Sequence, residues 1–160
     1  MKNMLQDYGY FVVDFFSLLA NEEIAQVKNE VAKQKWVQLD QRVQGWNEKE
    51  GVLFKYLSQF SSFSAMEHII AIRQAPDDED GIWHDDGSRV LAFSLSLNLL
   101  PKNIKGGELL FKHKDSPLTH IIAPLEFGEM IVFLTGTSCY EHKVNAVTEE
   151  TRIVVAGWCQ

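Results

Sequence analysis

No apolar run in this chain approaches the ~20 residues that span a bilayer, and its opening Met1-Lys2-Asn3-Met4-Leu5-Gln6-Asp7 has neither the hydrophobic stretch nor the cleavage site of a signal peptide. We therefore expect no membrane partner and a cytoplasmic location. Cysteine is scarce, with only Cys139 and Cys159 present. Without an export signal they read as reduced thiols on or near late strands, with no redox role. Positive charge is in the minority, 15 Lys and Arg against 22 Asp and Glu for a net −7, whereas a protein that grips nucleic acid by neutralising phosphates needs clustered cations. Nucleic acid is therefore disfavoured as a partner. Repeats, low-complexity tracts and Ser/Gly linkers are also missing. The 160 residues, 46% of them hydrophobic, thus read as a single domain over 1–160 with one core.

Helical patterns come early and strand patterns late. Tyr8-Gly9-Tyr10-Phe11-Val12-Val13 is aromatic and β-branched, which predicts a strand. Asn21 can cap a helix whose Ile24, Val27 and Val31 recur at helical spacing, running to about Lys35. Leu53, Tyr56, Leu57 and Phe60 predict a second helix over Val52 to Phe60. From Glu67 onward, short β-type segments at 67–74, 89–100, 108–113, 119–123, 129–134, 139–145 and 151–158 are separated by Pro, Gly and Asp clusters. With no helical pattern between them to carry parallel crossovers, they predict an antiparallel sandwich or barrel. The expected class is mainly β with flanking helices, a jelly roll with N-terminal helices packed on one face.

The chemistry concentrates in Trp83-His84-Asp85-Asp86-Gly87. In an extended segment, residues two apart leave the same face of the chain, so His84 and Asp86 can reach one ion while Asp85 points away. A second imidazole, His142, stands near the start of the last strands, which a sandwich can bring beside the first. Two imidazoles and a carboxylate on one face of a metal leave open positions, as an oxygen-activating Fe(II) requires. Zinc hydrolases use similar sets. Arg152, ten residues after His142, opens the run Thr151-Arg152-Ile153-Val154-Val155. An arginine facing inward among Ile and Val needs an anionic partner, and its guanidinium matches a carboxylate in bidentate fashion. A dicarboxylate cosubstrate would supply that partner.

His84-Asp85-Asp86, His142 and Arg152, in this order and spacing, resemble the 2-oxoglutarate- and Fe(II)-dependent dioxygenases, and within them the prolyl 4-hydroxylase-like branch. Asn98 in its Leu-Asn-Leu run, Gly106-Gly107-Glu108-Leu109, Trp158 and the opening Tyr8 to Asp14 add to the likeness, which is strongest over 82–158. The resemblance implies a double-stranded β-helix. It also implies iron(II) held by His84, Asp86 and His142, with 2-oxoglutarate chelating the iron at one end and meeting Arg152 at the other. O2 is the further cosubstrate, succinate and CO2 are released, and ascorbate is a candidate reductant. Relatives that halogenate replace the carboxylate ligand with a small residue, so Asp86 points to hydroxylation of an unactivated C–H. The expected substrate is a peptide, with a prolyl residue as the leading candidate, or an amino-acid-like small molecule. Where that branch often carries a tyrosine ten residues before the first histidine ligand this chain has Gln74, and where a second tyrosine assists the basic residue it has Ser96. Both side chains can hydrogen-bond the cosubstrate, and Ser94, Ser96 and Asn98 alternate onto one strand face.

Other polar features read as structural. His68, His113 and His120 are expected to be core or surface residues. Asp77-Asp78-Glu79-Asp80 lacks the glycine and terminal glutamate of an EF-hand loop and is expected to be a solvated loop at the mouth of the site. Gly106-Gly107 is read as a strand-entry turn, and Trp83 and Trp46 as packing. The mouth is expected to combine the 76–82 loop with the 38–50 region, including Arg42, Trp46 and Glu48. The alternatives to an oxygenase are a catalytically silent β-helix or cupin-like ligand-binding domain, and a zinc or iron enzyme without 2-oxoglutarate. The first has no need to keep all four of the residues, and the second leaves Arg152 without its carboxylate.

Overall fold

Strand-forming sequence after residue 65 is arranged as two antiparallel sheets facing each other, in a computed structural model that describes residues 1–160. The helices are α1 (Lys2–Tyr8), α2 (Asn21–Ala32), α3 (Trp36–Asn47) and α4 (Val52–Leu57). The strands are β1 (Tyr10–Asp14), β2 (Met66–Gln74), β3 (Leu91–Ser96), β4 (Lys105–Gly106), β5 (Leu109–His113), β6 (His120–Ile122), β7 (Glu129–Leu134), β8 (Tyr140–Val144), β9 (Val147–Glu149) and β10 (Thr151–Cys159). The major sheet has the order β1-β7-β3-β10-β2 and the minor sheet β6-β5-β8, with β4 and β9 forming a separate ribbon. This is the expected jelly roll with its helices on one face.

Alternation along β10 assigns the two faces of the major sheet. Val155 and Cys159 enter the helix-side core, while Arg152, Val154, Ala156 and Trp158 line the space between the sheets. Twenty buried side chains form that helix-side core, among them Phe11, Phe15, Leu39, Leu53, Leu57 and Leu95. A smaller cluster of Ala92, Leu109, Phe111, Ile131 and Phe133 sits between the sheets. On α2, Val27 and Val31 are buried at helical spacing and Glu22 and Glu23 occupy the first turn, where the helix dipole favours acids. Asn21 is the first helical residue rather than the cap, and the helix stops at Ala32, short of Lys35.

Two helices were not anticipated. The α3 helix buries Leu39, Val43 and Trp46 and is tied to α2 by Arg42, which donates to Glu30 at 2.7 and 3.0 Å, and by the Trp46 indole N–H, which donates to Glu23 at 2.8 Å. It packs on the outer face of β2. Arg42 and Trp46 therefore belong to the helical layer and not to the mouth of the site. The short α1 closes on Gly9, whose φ of 79° gives the left-handed C-cap. The α4 helix ends at Leu57 in a tight turn through Phe60.

Candidate metal and cosubstrate site

His84 and His142 are fixed to each other through their backbones. Each donates its amide to the other's carbonyl, at 3.0 and 2.9 Å, an isolated antiparallel bridge that brings the imidazole centroids to 4.3 Å. Nδ1–H of His84 donates to the Ile82 carbonyl at 2.9 Å, which leaves Nε2 with its lone pair. After His84 the chain does not stay extended. Asp86 adopts φ 59° and Gly87 φ 67°, and this turn, rather than simple strand alternation, swings the Asp86 carboxylate back beneath both rings. A left-handed aspartate costs roughly 1–3 kcal/mol, which the surrounding contacts must hold in place.

Asp86 Oδ1 lies 3.5 Å from His84 Nε2, and its Oδ2 lies 3.7 Å from His142 Nε2. All three potential ligand atoms fall within 4.8 Å of one another, slightly wider than two bonds of about 2.1 Å to a shared ion. Asp86 Oδ2 and His142 Nδ1 are buried without a hydrogen-bond partner. Burial, with His84 adjacent, holds the His142 imidazole down at about 3, so it is neutral at physiological pH. Burial also pushes the Asp86 carboxyl above the ordinary carboxylate range, against the pull of Trp158, His84 and Arg89. A buried carboxylate with an unpartnered oxygen and two imidazoles converging on it fit a divalent cation. Asp85 points outward, as expected, accepting from the Gly87 amide at 3.0 Å and pairing with Lys114.

Arg152 shares a cavity with His142. A space of about 120 Å³ between the sheets is lined by His142, Arg152, Ser94, Phe133, Val144 and Trp158, among others. Arg152 is 6% exposed, and its Nε is buried without a partner. Gly107, at φ 71°, leaves it room, since a Cβ there would stand 2.9 Å from the Arg152 Cδ. Burial, with Arg73 beside it, pulls the Arg152 guanidinium down to about 10, although Asp78 pulls the other way. Asp78 itself is engaged elsewhere, accepting from Arg73 Nε at 2.9 Å and from the Val147 amide at 2.7 Å. Arg152 is therefore a buried cation with no paired carboxylate, lining a cavity that His142 also lines.

Gln74 is a correction to the sequence reading. Strand alternation turns Ala71 and Arg73 toward the cavity, whereas Ile72 and Gln74 open onto a groove on the opposite face beside Trp36 and Ile153. Gln74 does not reach the cavity that His142 and Arg152 line. Ser96 is on the inner face, yet its hydroxyl donates to the Leu125 carbonyl at 2.7 Å and accepts from Asn98 Nδ2 at 2.9 Å. The acidic loop is not simply solvated, because Asp78 and Asp80 are tied to the Val147 and Ala146 amides. Trp83 stacks against Lys112 at 4.5 Å rather than lining the cavity. His68 sits between Asp40 and Asn47, His113 against Tyr140, and His120 against Tyr10, all apart from the candidate ligands. Arg73 was missed, although strand alternation could have placed it. So was Arg89, which lies 5.4 Å over the Trp158 ring and donates to the Asp86 carbonyl at 3.2 Å. No sequence signal singled out Arg89.

A profile of the 2OG-Fe(II) oxygenase superfamily matches residues 73–160, more than half of the chain and the part that holds every candidate site residue. The chain belongs to this superfamily. It is accordingly a 2-oxoglutarate- and iron(II)-dependent oxygenase that uses O2. No curated protein matches the sequence significantly. Among solved structures, a Pseudomonas putida prolyl-4-hydroxylase is similar at TM-score 0.63 and 16% identity, over 99% of this chain and 92% of that one. A Trichoplax adhaerens prolyl hydroxylase in complex with a hypoxia inducible factor oxygen degradation domain peptide fragment is similar at TM-score 0.63 and 16% identity, over 99% and 86%. The non-heme alpha ketoglutarate dependent epimerase SnoN from nogalamycin biosynthesis is similar at TM-score 0.61 and 14% identity, over 99% and 81%. At these identities the likeness concerns the fold. No helix of this oxygenase is long and apolar enough to cross a membrane.

Proposed function

We propose that His84, Asp86 and His142 hold the iron, that Arg152 grips the far carboxylate of 2-oxoglutarate, and that the enzyme hydroxylates an unactivated C–H of a peptidyl prolyl residue or an amino-acid-like small molecule. The observation that carries this reading is Arg152. A buried guanidinium without a carboxylate partner, sharing one small cavity with His142 of the histidine-aspartate set, calls for an anion long enough to reach from Arg152 toward the metal ligands. When bound, the iron and 2-oxoglutarate supply the oxidising chemistry, with O2 consumed and succinate and CO2 released.

The chain's own residues bind, orient and exclude water. His142 stays neutral and so keeps a lone pair for the metal. The His84 bond to Ile82 fixes its ring orientation. Asp86 supplies the only carboxylate of the set, and Phe133, Val144, Leu109 and Trp158 wall the cavity with apolar surface. The peptide seen with the Trichoplax relative motivates the peptide arm of the proposal, and the epimerase with the same fold makes product identification essential.

The test is anaerobic titration of the protein with Fe(II) and 2-oxoglutarate, followed by the visible charge-transfer band of chelated ferrous iron. Turnover is then screened on proline-containing peptides and free amino acids, reading succinate and the hydroxylated product. A band together with hydroxylated product supports the proposal. Folded protein that binds neither iron nor 2-oxoglutarate points to the silent ligand-binding domain instead.

A further inference from the structure

Two serines face the space between the sheets from β3, and their surroundings differ. Ser96 is 2% exposed, and its hydroxyl joins three parts of the chain. It donates to the Leu125 carbonyl at 2.7 Å and accepts from the Asn98 amide at 3.3 Å and from Asn98 Nδ2 at 2.9 Å. Asn98 Oδ1 in turn accepts from the Ile153 amide at 2.7 Å, one residue past Arg152. Both donor and acceptor capacity of Ser96 are thus used to join the end of β3, the start of β10 and the segment before β7. Ser94, one alternation nearer the metal set, is 9% exposed, and no protein group engages its hydroxyl. It lines the 120 Å³ cavity beside His142 and Arg152, and also the small adjoining hollow that Arg152 shares with Leu125 and Ile131.

We infer that Ser94, and not Ser96, supplies the hydroxyl that hydrogen-bonds the carboxylate gripped by Arg152. This rests on the reading that 2-oxoglutarate occupies the cavity. The Ser94 hydroxyl opens onto the cavity with its donor uncommitted, and Arg152 alone leaves carboxylate lone pairs free to accept from a neutral donor. Ser94 is the inward-facing β3 hydroxyl that can donate without releasing a backbone carbonyl. Ser96 would first have to abandon Leu125, leaving that carbonyl unpaired in a buried turn. Ser96 is therefore a structural residue, and Ser94 is a binding residue that shares the anion with Arg152.

The test compares Ser94→Ala, Ser94→Cys and Ser96→Ala in the iron(II)-loaded protein, kept anaerobic. Binding of 2-oxoglutarate, and separately of succinate, which has carboxylates but no keto group, is measured by calorimetry, and thermal unfolding is measured without ligand. Ser94→Ala should weaken both ligands by about tenfold, the worth of one ordinary hydrogen bond, with unfolding unchanged. Ser94→Cys, a poorer donor of similar size, should fall between, and it carries the comparison if the alanine variant does not fold. Ser96→Ala should unfold at lower temperature and bind 2-oxoglutarate within about twofold of wild type, because its bonds are to the protein. Wild-type affinity in both Ser94 variants overturns the assignment while leaving the cosubstrate reading intact. So does a Ser96→Ala variant that loses affinity without losing stability. If wild-type protein binds iron(II) but neither dicarboxylate, the cosubstrate reading itself fails, and this inference with it.

Discussion

The two faces of the five-stranded sheet are built for different purposes. Against the helices, twenty buried side chains interlock with few polar interruptions. Between the sheets the apolar cluster is only five residues, and it surrounds Ser94, Ser96, His142 and Arg152. Of five buried polar atoms without partners, Asp86 Oδ2, His142 Nδ1 and Arg152 Nε belong to the candidate site, Arg89 Nε adjoins it, and only Asn47 Oδ1 lies on the helix side. Unsatisfied polar groups destabilise a folded chain, so their concentration marks this face as the less stabilised of the two. The helix-side core supplies the compensating stability. The central strands β7, β3 and β10 contribute alternate residues to each face.

This division predicts separable losses, of which the metal set should give the largest. His84→Ala, Asp86→Ala or His142→Ala should each abolish turnover and iron retention, measured by metal analysis after dialysis, while the far-ultraviolet dichroism and unfolding temperature stay near wild type. A variant with full activity would remove its residue from the set. On the other face, Phe11→Ala removes a fully buried ring that packs against Phe60 at 4.8 Å. It should cost about 3–5 kcal/mol of stability in denaturant unfolding. At temperatures where that variant remains folded, iron and 2-oxoglutarate affinity should hold. A selective loss of affinity would mean that the faces are coupled.

Arg152 gives the sharpest separation. Replacing it with Met, which keeps much of the volume, should weaken 2-oxoglutarate binding by about 2–5 kcal/mol, the range for truncating one side of a buried charge pair. The same change removes an unpaired buried cation, so the ligand-free protein should unfold at the same or a higher temperature. Thermal unfolding with and without 2-oxoglutarate reads both effects. A ligand-free protein that loses stability would identify Arg152 as part of the fold.

The mainly β class, most strand segments and the α2 and α4 helices were legible in sequence because each rests on a local pattern, β-branched runs or a 3.6-residue period, and the His-x-Asp pair proposed to hold the iron stood out as a motif in the same local way. What was not legible follows from register. Counting back ten residues from His84 selected Gln74, but a count carried through the irregular 75–83 segment does not preserve strand parity. Pairing with β10 does, placing Arg73 opposite Arg152. The α3 helix was hidden although Leu39, Val43 and Trp46 lie on its buried face, because Gly45 and several glutamines dilute the apolar stripe. The β4–β9 ribbon is two and three residues long, too short for any period to register. That Ser96 holds Leu125 depends on a contact across 29 positions, which no spacing encodes.

Asp85 provides the smallest effect and the finest discrimination. It stands between two candidate ligands in sequence, yet its side chain leaves the opposite way, to Lys114 on the surface and to the amide of Gly87. Lys114 holds the Asp85 carboxyl below the usual carboxylate range, with the Gly87 amide helping. Exposed pairs of this kind contribute little, and asparagine keeps an oxygen for the Gly87 amide. Asp85→Asn should therefore leave iron affinity within about twofold of wild type, read by the same anaerobic titration, whereas Asp86→Asn should lose most of it. Equal losses in the two variants would mean that the turn at Asp86 and Gly87 admits either carboxylate to the metal. The left-handed φ of 59° at Asp86 argues against that exchange, because swapping the ligands would require the 84–87 backbone to straighten and give up the bridge to His142.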